Sequence, residues 1–278
     1  MQFKFKSLVI ASAFMAAGGA HAVTATINQG ESLAYGDYTI SGLSGSGTLT
    51  FSQDLLDTLN LGVVGVSGVL PATATIEGGA GGYTSASAAA PVLSLTGNGT
   101  GPNISITGVG TAGGATQTVT QDGVDAGVAN GTGFVTIKDL RVDLLNQDVY
   151  ATIVGDNGVG TQSDVKVWHY LNIVGDTTFN LDAIIAAGGT YTAHTTLSNL
   201  QIYDTAFQYL VQGTNLNDFG AGALSGVNNG AIGYGSITSA ITVTVSKTAT
   251  PAVPEPSTYA LMGVGLAAIG FMARRKAR

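Results

Sequence analysis

The sequence predicts an antiparallel all-β domain, a β-sandwich with one or two short helices. Three observations carry that reading. Runs rich in Val, Ile, Thr and Tyr recur along residues 23–247, each bounded by Gly, Ser, Asn or Asp clusters. In the clearest run, residues 237–247, Ile237, Ile241, Val243 and Val245 fall on one face and Thr238, Thr242, Thr244 and Ser246 on the other. That period of two marks a strand with one buried and one wet face. Finally, 41 of 278 residues are Gly and only 10% are charged, against typical values of ~7% Gly and ~25% charged. Such a chain is built for tight turns.

In chain order, the pattern places strands at 35–40 and 47–51. A helix follows over 53–61, with Ser52 as N-cap, Asp54 in the first turn and Gly62 just past the end. Strands come next at 62–69, 72–77, 91–96, 103–109 and 115–121. The Gly/Ala/Ser-rich stretches 79–90 and 108–114 read as long loops or sheet-end turns. Further strands lie at 133–144, 148–154 and 163–174. A second helix, 181–187, is capped by Asn180 and stopped by Gly188 and Gly189. Both helices are too short to stand alone and must pack on a sheet. Strands at 190–203 and 237–247 complete the domain. Thr136–Val142 is echoed sixty residues on by Thr196–Ile202, as two hairpins built alike would be.

The two ends differ from this body. Lys4 and Lys6 precede an apolar run from Leu8 to Ala17, and Ala20-His21-Ala22 follows as an A-x-A cleavage site. That is a secretory signal peptide over 1–22, with a mature start at Val23. Residues 248–253 are a linker. Pro254-Glu255-Pro256 then precedes an uncharged apolar run, 257–273, and the basic cluster Arg274-Arg275-Lys276. Seventeen helical residues span about 25 Å, just short of a hydrocarbon core. The basic end stays cytoplasmic and the body lies outside.

This tripartite end, 254–278, resembles the PEP-CTERM sorting signal of exported proteins of Gram-negative bacteria. The core domain matches no family by its motifs. The resemblance implies a single transmembrane sorting helix, processing by signal peptidase and an exosortase, and transient membrane anchoring. It also implies delivery to the cell surface or the exopolysaccharide matrix. Pro254, Glu255, Pro256, Arg274, Arg275 and Lys276 would be recognition residues, with no catalytic role.

Removing both ends leaves four basic residues (Lys138, Arg141, Lys166 and Lys247) against sixteen acids, a net charge of −12 for the core. No basic footprint for nucleic acid exists. With no Cys there is no thiolate nucleophile, disulfide framework or Cys-ligated metal. Gly108 to Gly113 matches G-x-G-x-x-G, but strand-like sequence follows where a dinucleotide site needs a helix.

Catalytic constellations are equally sparse. Only His169 and His194 survive signal cleavage, without metal-ligand spacing, and no G-x-S-x-G elbow occurs. Most Asp sit in turns, which they favour by bonding nearby backbone. Among hard oxygen donors, Asp156, Asn157 and Asp164 are the candidates for a structural calcium; no other cofactor is expected. Trp168 and Tyr170, alternating with Lys166 and Asn172, form a candidate exposed aromatic face for sugar. The expectation is therefore a non-enzymatic structural or adhesive protein of the cell surface or biofilm matrix, associated with exopolysaccharide. The alternatives are a carbohydrate-binding module using Trp168 and Tyr170, and a secreted polysaccharide hydrolase.

Overall fold

Among the described residues of the domain, fourteen strands in an antiparallel sheet follow one another with five short helices between them. In the computed structural model, which describes residues 22–248 together with Leu261, Met262 and Val264, the chain opens with β1 (Val23–Asn28), β2 (Ser32–Tyr35) and β3 (Tyr38–Phe51). Helix α1 (Gln53–Leu61) comes next, then β4 (Gly65–Val69), β5 (Thr73–Glu77), β6 (Ser85–Thr100), β7 (Asn103–Thr111) and β8 (Gly114–Val119). After α2 (Gln121–Asp125) come β9 (Gly133–Asp143), β10 (Asp148–Gly155), β11 (Gly160–Gly175) and β12 (Thr178–Asn180). The last part holds α3 (Leu181–Ala186), β13 (Thr190–Ile202), α4 (Asp204–Gly213), α5 (Asp218–Asn228) and β14 (Gly235–Lys247).

The strands form one sheet, where a sandwich of two separate sheets was expected. Its hydrogen-bonded path runs β12-β7-β6-β3-β14-β13-β11-β10-β9-β8-β4. An additional pairing of β7 with β9 closes eight of these strands into a ring. The seam is short: Gly108, Val109 and Gly110 face Asp143, Val142 and Arg141. The stretch 108–114, which reads as a loop or sheet-end turn, thus holds the closing end of β7 and the tight turn into β8. Closure pairs β7 and β9 along this stretch, where an open sheet would leave their edges exposed.

Strand β9 serves two partners. Its first half, Gly133–Lys138, pairs with β8, and its second half pairs with β7. The switch is Asp139, whose φ is 56°. Its amide donates to the Gly113 carbonyl and its carboxylate accepts the Gly113 amide, both at 2.9 Å. Asn199, the matching position of the sequence echo, has φ 59°. The echo therefore records two strands that each carry a left-handed residue at the matching position, a conformation Asn and Asp tolerate best. The hairpin analogy stops there: β9 turns into β10, whereas β13 runs into helix α4.

The second half of stretch 79–90 is strand, the start of β6. Ala86, Ala88 and Ala90 alternate with half-buried residues and pack inward. Alanine has little strand preference of its own, but its small size suits a position wedged between β3 and β5. On the other side of β3, Gly45 (φ +131°) faces β14, and a Cβ there would lie 2.1 Å from the Ala240 carbonyl oxygen. Only glycine permits that approach.

Helix α1 begins and ends where its caps place it. Ser52 Oγ accepts from the Leu55 amide at 3.2 Å and donates to the Gly233 carbonyl at 2.6 Å. Leu55, Leu56 and Leu59 face the core. Asn180 caps α3 in the same way, by accepting from the Ala183 amide. Helices α4 and α5 occupy sequence that carries no strong helical signature. Asn217 caps α5, its side-chain oxygen accepting from Phe219 and Gly220.

Two hydrophobic cores result. The larger gathers residues of α1, α4, α5, β9, β10, β11 and β13, including Leu55, Ile153, Trp168, Leu200, Leu210 and Leu224. The smaller gathers Ile27, Tyr35, Ile40, Val92, Leu95, Ile104, Leu181, Ile184, Ile241 and Val245. Lys247 onward forms a second unit, in which Leu261, Met262 and Val264 are helical and exposed. The signal peptide with its cleavage residue Ala20, the sorting residues Pro254, Glu255, Pro256, Arg274, Arg275 and Lys276, and most of the apolar run 257–273 lie outside the described residues. No helix among the described residues is long and apolar enough to cross a membrane.

Candidate functional site

Strand β11 carries the residues expected to bind sugar, and its register decides their fate. Val149 faces Trp168, but the next residue, Tyr150, faces Lys166. Val167 is therefore an extra residue, a β-bulge, and a bulge shifts the in/out phase by one. Lys166 points outward, its side chain half exposed. Beyond the bulge Trp168 and Tyr170 turn inward and are 4% and 0% exposed. Both belong to the larger core. Neither presents a ring to solvent, so the expected Trp168/Tyr170 platform does not form.

The same bulge builds a polar node that the sequence reading missed. Asp148, at the start of β10, is 2% exposed. Its carboxylate accepts from Lys166 Nζ at 2.6 Å and from the Tyr203 hydroxyl at 2.5 Å, with His169 Nδ1 at 3.6 Å. Burial, the largest single influence, pushes the carboxyl up. The bonds from Lys166 and Tyr203, the charge of Lys166 and the contact with His169 together outweigh it and hold Asp148 below its ordinary value. Lys166 is raised, first by its hydrogen bond to Asp148. Tyr203 leads into α4, and its amide donates to the carbonyl of Val167, the bulge residue. The node therefore pins helix α4 to strands β10 and β11. A single Lys in a base-poor core was the signal available for it.

Tyr150 borders this node. Arg141 lies 3.9 Å from its ring centroid and Lys166 5.6 Å. Arg141 also donates to Asp164 at 2.7 Å. Its guanidinium covers one face of Tyr150 and so leaves that face closed to a sugar ring.

Two of the three candidate calcium donors have their side chains engaged by the fold, Asp164 by Arg141 and Asn157 by backbone carbonyls. Asp164 is ion-paired with Arg141. Asn157, in the β10–β11 turn with φ 52°, donates its side-chain amide to the carbonyls of Thr132 and Gly213. Asp156 closes the same turn through its backbone, with the Val159 amide donating to its carbonyl. Among the described residues, no group of three or more His, Asp or Glu is placed to hold a metal ion.

Among the described residues, an apolar cavity of about 110 Å³ lies inside the ring. It lies where the two cores meet and is walled by members of both. Ile137, Val142, Leu197 and Ile237 come from the larger, and Ile27, Ile40, Leu95, Ile104 and Ile241 from the smaller. Polar groups in the wall are few: Tyr35, Thr111, Asp176, Tyr191, Thr195 and Ser239. Tyr35 is 8% exposed, and its hydroxyl is buried without a hydrogen-bond partner. Burial alone raises its pKa. Sequence patterning foresees none of this, since the cavity exists only once the ring closes.

Comparison with known proteins adds to this geometry at one end of the chain. The chain is similar to a heme binding protein, HtaB from Corynebacterium glutamicum, known from its crystal structure. The two share 11% identity with a TM-score of 0.40, over 81% of this chain and 98% of that one. No curated protein matches the chain. The family model of the PEP-CTERM protein-sorting motif matches residues 252–276, over the Pro-Glu-Pro, apolar and basic segments read from the sequence. The chain thus carries a PEP-CTERM protein-sorting motif, the mark of an exported protein sorted by an exosortase.

Proposed function

We propose that this protein is a non-enzymatic structural or adhesive component of the cell surface or extracellular matrix, delivered there by exosortase processing and associated with exopolysaccharide. The observation that carries the reading is the sorting motif at residues 252–276. It accounts for a core that is strongly acidic and free of Cys: net charge keeps an exported domain soluble, and ring closure and two packed cores hold it without disulfides. The outer faces suit a hydrated polymer. Exposed Thr hydroxyls pair across strands, Thr26 with Thr96 and Thr192 with Thr242. Carbohydrate binding through Trp168 and Tyr170 loses its support because both rings are buried.

The test replaces Pro254, Glu255 and Pro256 together by Ala in the producing bacterium. The variant should keep its tail and stay in the membrane fraction, while the parent protein reaches the surface or matrix. Normal tail removal and normal arrival of the variant would overturn the reading.

A further inference from the structure

We infer that the end of strand β11, residues 171–175, is a pairing edge through which two copies of this protein associate as an antiparallel dimer. The argument is independent of the sorting motif and begins with the backbone. Strand β10 accompanies β11 only as far as His169, which faces Asp148. The Tyr170 amide still reaches the Gln147 carbonyl. Beyond that point β11 runs on against β13 alone among the described residues, with 172–175 facing 198–195.

Peptide geometry identifies the groups left over. The Asp176 amide donates to the His194 carbonyl of β13 at 3.0 Å. In a trans peptide the carbonyl points opposite to the amide, so the Gly175 carbonyl points away from β13. Alternation along the strand turns the N–H and C=O of Ile173 the same way. Such groups are what one strand edge offers to another.

The side chains fit the same partner. Leu171, Ile173 and Val174 are 44%, 36% and 72% exposed. The segment holds no charge and no Pro, the devices that commonly keep an edge from pairing. The acids of the core leave 165–175 clear, so two copies of a strongly acidic domain can approach each other there. A two-fold axis at Val174 sets Ile173 of each copy opposite Gly175 of the other and closes two hydrogen-bonded pairs. It brings the two Val174 residues together on one face, with Cα atoms about 4.5 Å apart. The two Asp176 residues then stand about 14 Å apart along the strands, beyond a screening length of about 8 Å. A seam this short belongs with weak, transient interfaces.

The experiment follows the exported protein by sedimentation velocity from about 1 μM to about 1 mM, the span of weak association. The dimer fraction should rise with concentration, and rise further in about 0.5 M NaCl, where repulsion between the acidic cores is screened. Val174→Asp sets two carboxylates face to face at a surface position and should weaken the dimer about fivefold or more. Val174→Cys gives this Cys-free chain one thiol on the axis. Oxidised glutathione should cross-link it to its own copy, since that Cα separation suits a disulfide. Thr50→Cys, exposed on β3 and three strands away, should stay uncross-linked. A monomer at every concentration, a dimer indifferent to Val174→Asp, or equal cross-linking of Thr50→Cys and Val174→Cys would each overturn the proposal. The cysteine comparison decides the matter even if Val174→Asp fails to fold.

Discussion

Lys166 reaches from the exposed side of β11 to donate its ammonium to the buried carboxylate of Asp148 at 2.6 Å. The pair joins two strands across a β-bulge, and Tyr203 ties the start of α4 to the same oxygen pair.

That node sets a pH window. Asp148 is held below its ordinary 3.8, so its contribution is present above that value and is lost as pH falls through the lower folded value. Lys166 is raised above 10.5, so its contribution is present below 10.5 and is lost as pH rises through the raised value. Asp148→Asn should cost about 2 kcal/mol at pH 7, the scale of hydrogen bonds to a charged group. Denaturant melts from pH 2 to 7 should show a flatter acid limb in the variant. Parallel acid limbs in the two proteins would remove the carboxylate from this role.

Trp168 is a core residue, so Trp168→Ala should destabilise by about 3–5 kcal/mol, as large aromatic truncations do. The folded fraction should be retained on the producer's polysaccharide like the parent protein. Retention lost at unchanged stability would restore a binding role for the ring.

Ser52 both caps α1 and donates to the Gly233 carbonyl ahead of β14. Ser52→Ala should lower stability by about 1–2 kcal/mol. Ser52→Thr, which keeps the oxygen, should recover part of the loss. Chemical denaturation distinguishes the two.

Gly45→Ala should be more damaging than its single methyl suggests. The added carbon would meet the Ala240 carbonyl oxygen at 2.1 Å, from a left-handed backbone position. A loss of about 3 kcal/mol or more is expected. Hydrogen exchange should rise along β3 and β14, whose pairing the methyl would pry apart. A thermal midpoint like that of the parent protein would show that β3 and β14 part there at little cost.

Local patterns were legible where one short stretch contains its own cause. The caps Ser52 and Asn180 marked the two helices whose first residues, Gln53 and Leu181, the structure reproduces. The helices α4 and α5 escaped because Gly220, Gly222 and Gly226 in α5 and Thr205, Phe207, Tyr209 and Val211 in α4 dilute their helical preference, and packing on the larger core holds them instead. The segment 79–90 read as loop because alanine strands show no β-rich signature, although their fit depends only on size. The β11 site failed for one residue's reason: Val167 is added to the register, and everything after it changes face.

The sequence by itself determined the β-rich composition, the acidic Cys-free core, two helix starts and the sorting motif at 252–276. Each depends on neighbours along the chain or on total composition, and needs no partner strand to be read. The tertiary structure alone decided that the sheet closes through Gly108–Gly110, that Trp168 and Tyr170 face inward, that Asp148 meets Lys166 and Tyr203, and that an apolar cavity holding Tyr35 opens between two cores. Those features arise from register and closure between strands distant in sequence, where a single inserted residue reverses a face and no local periodicity records it.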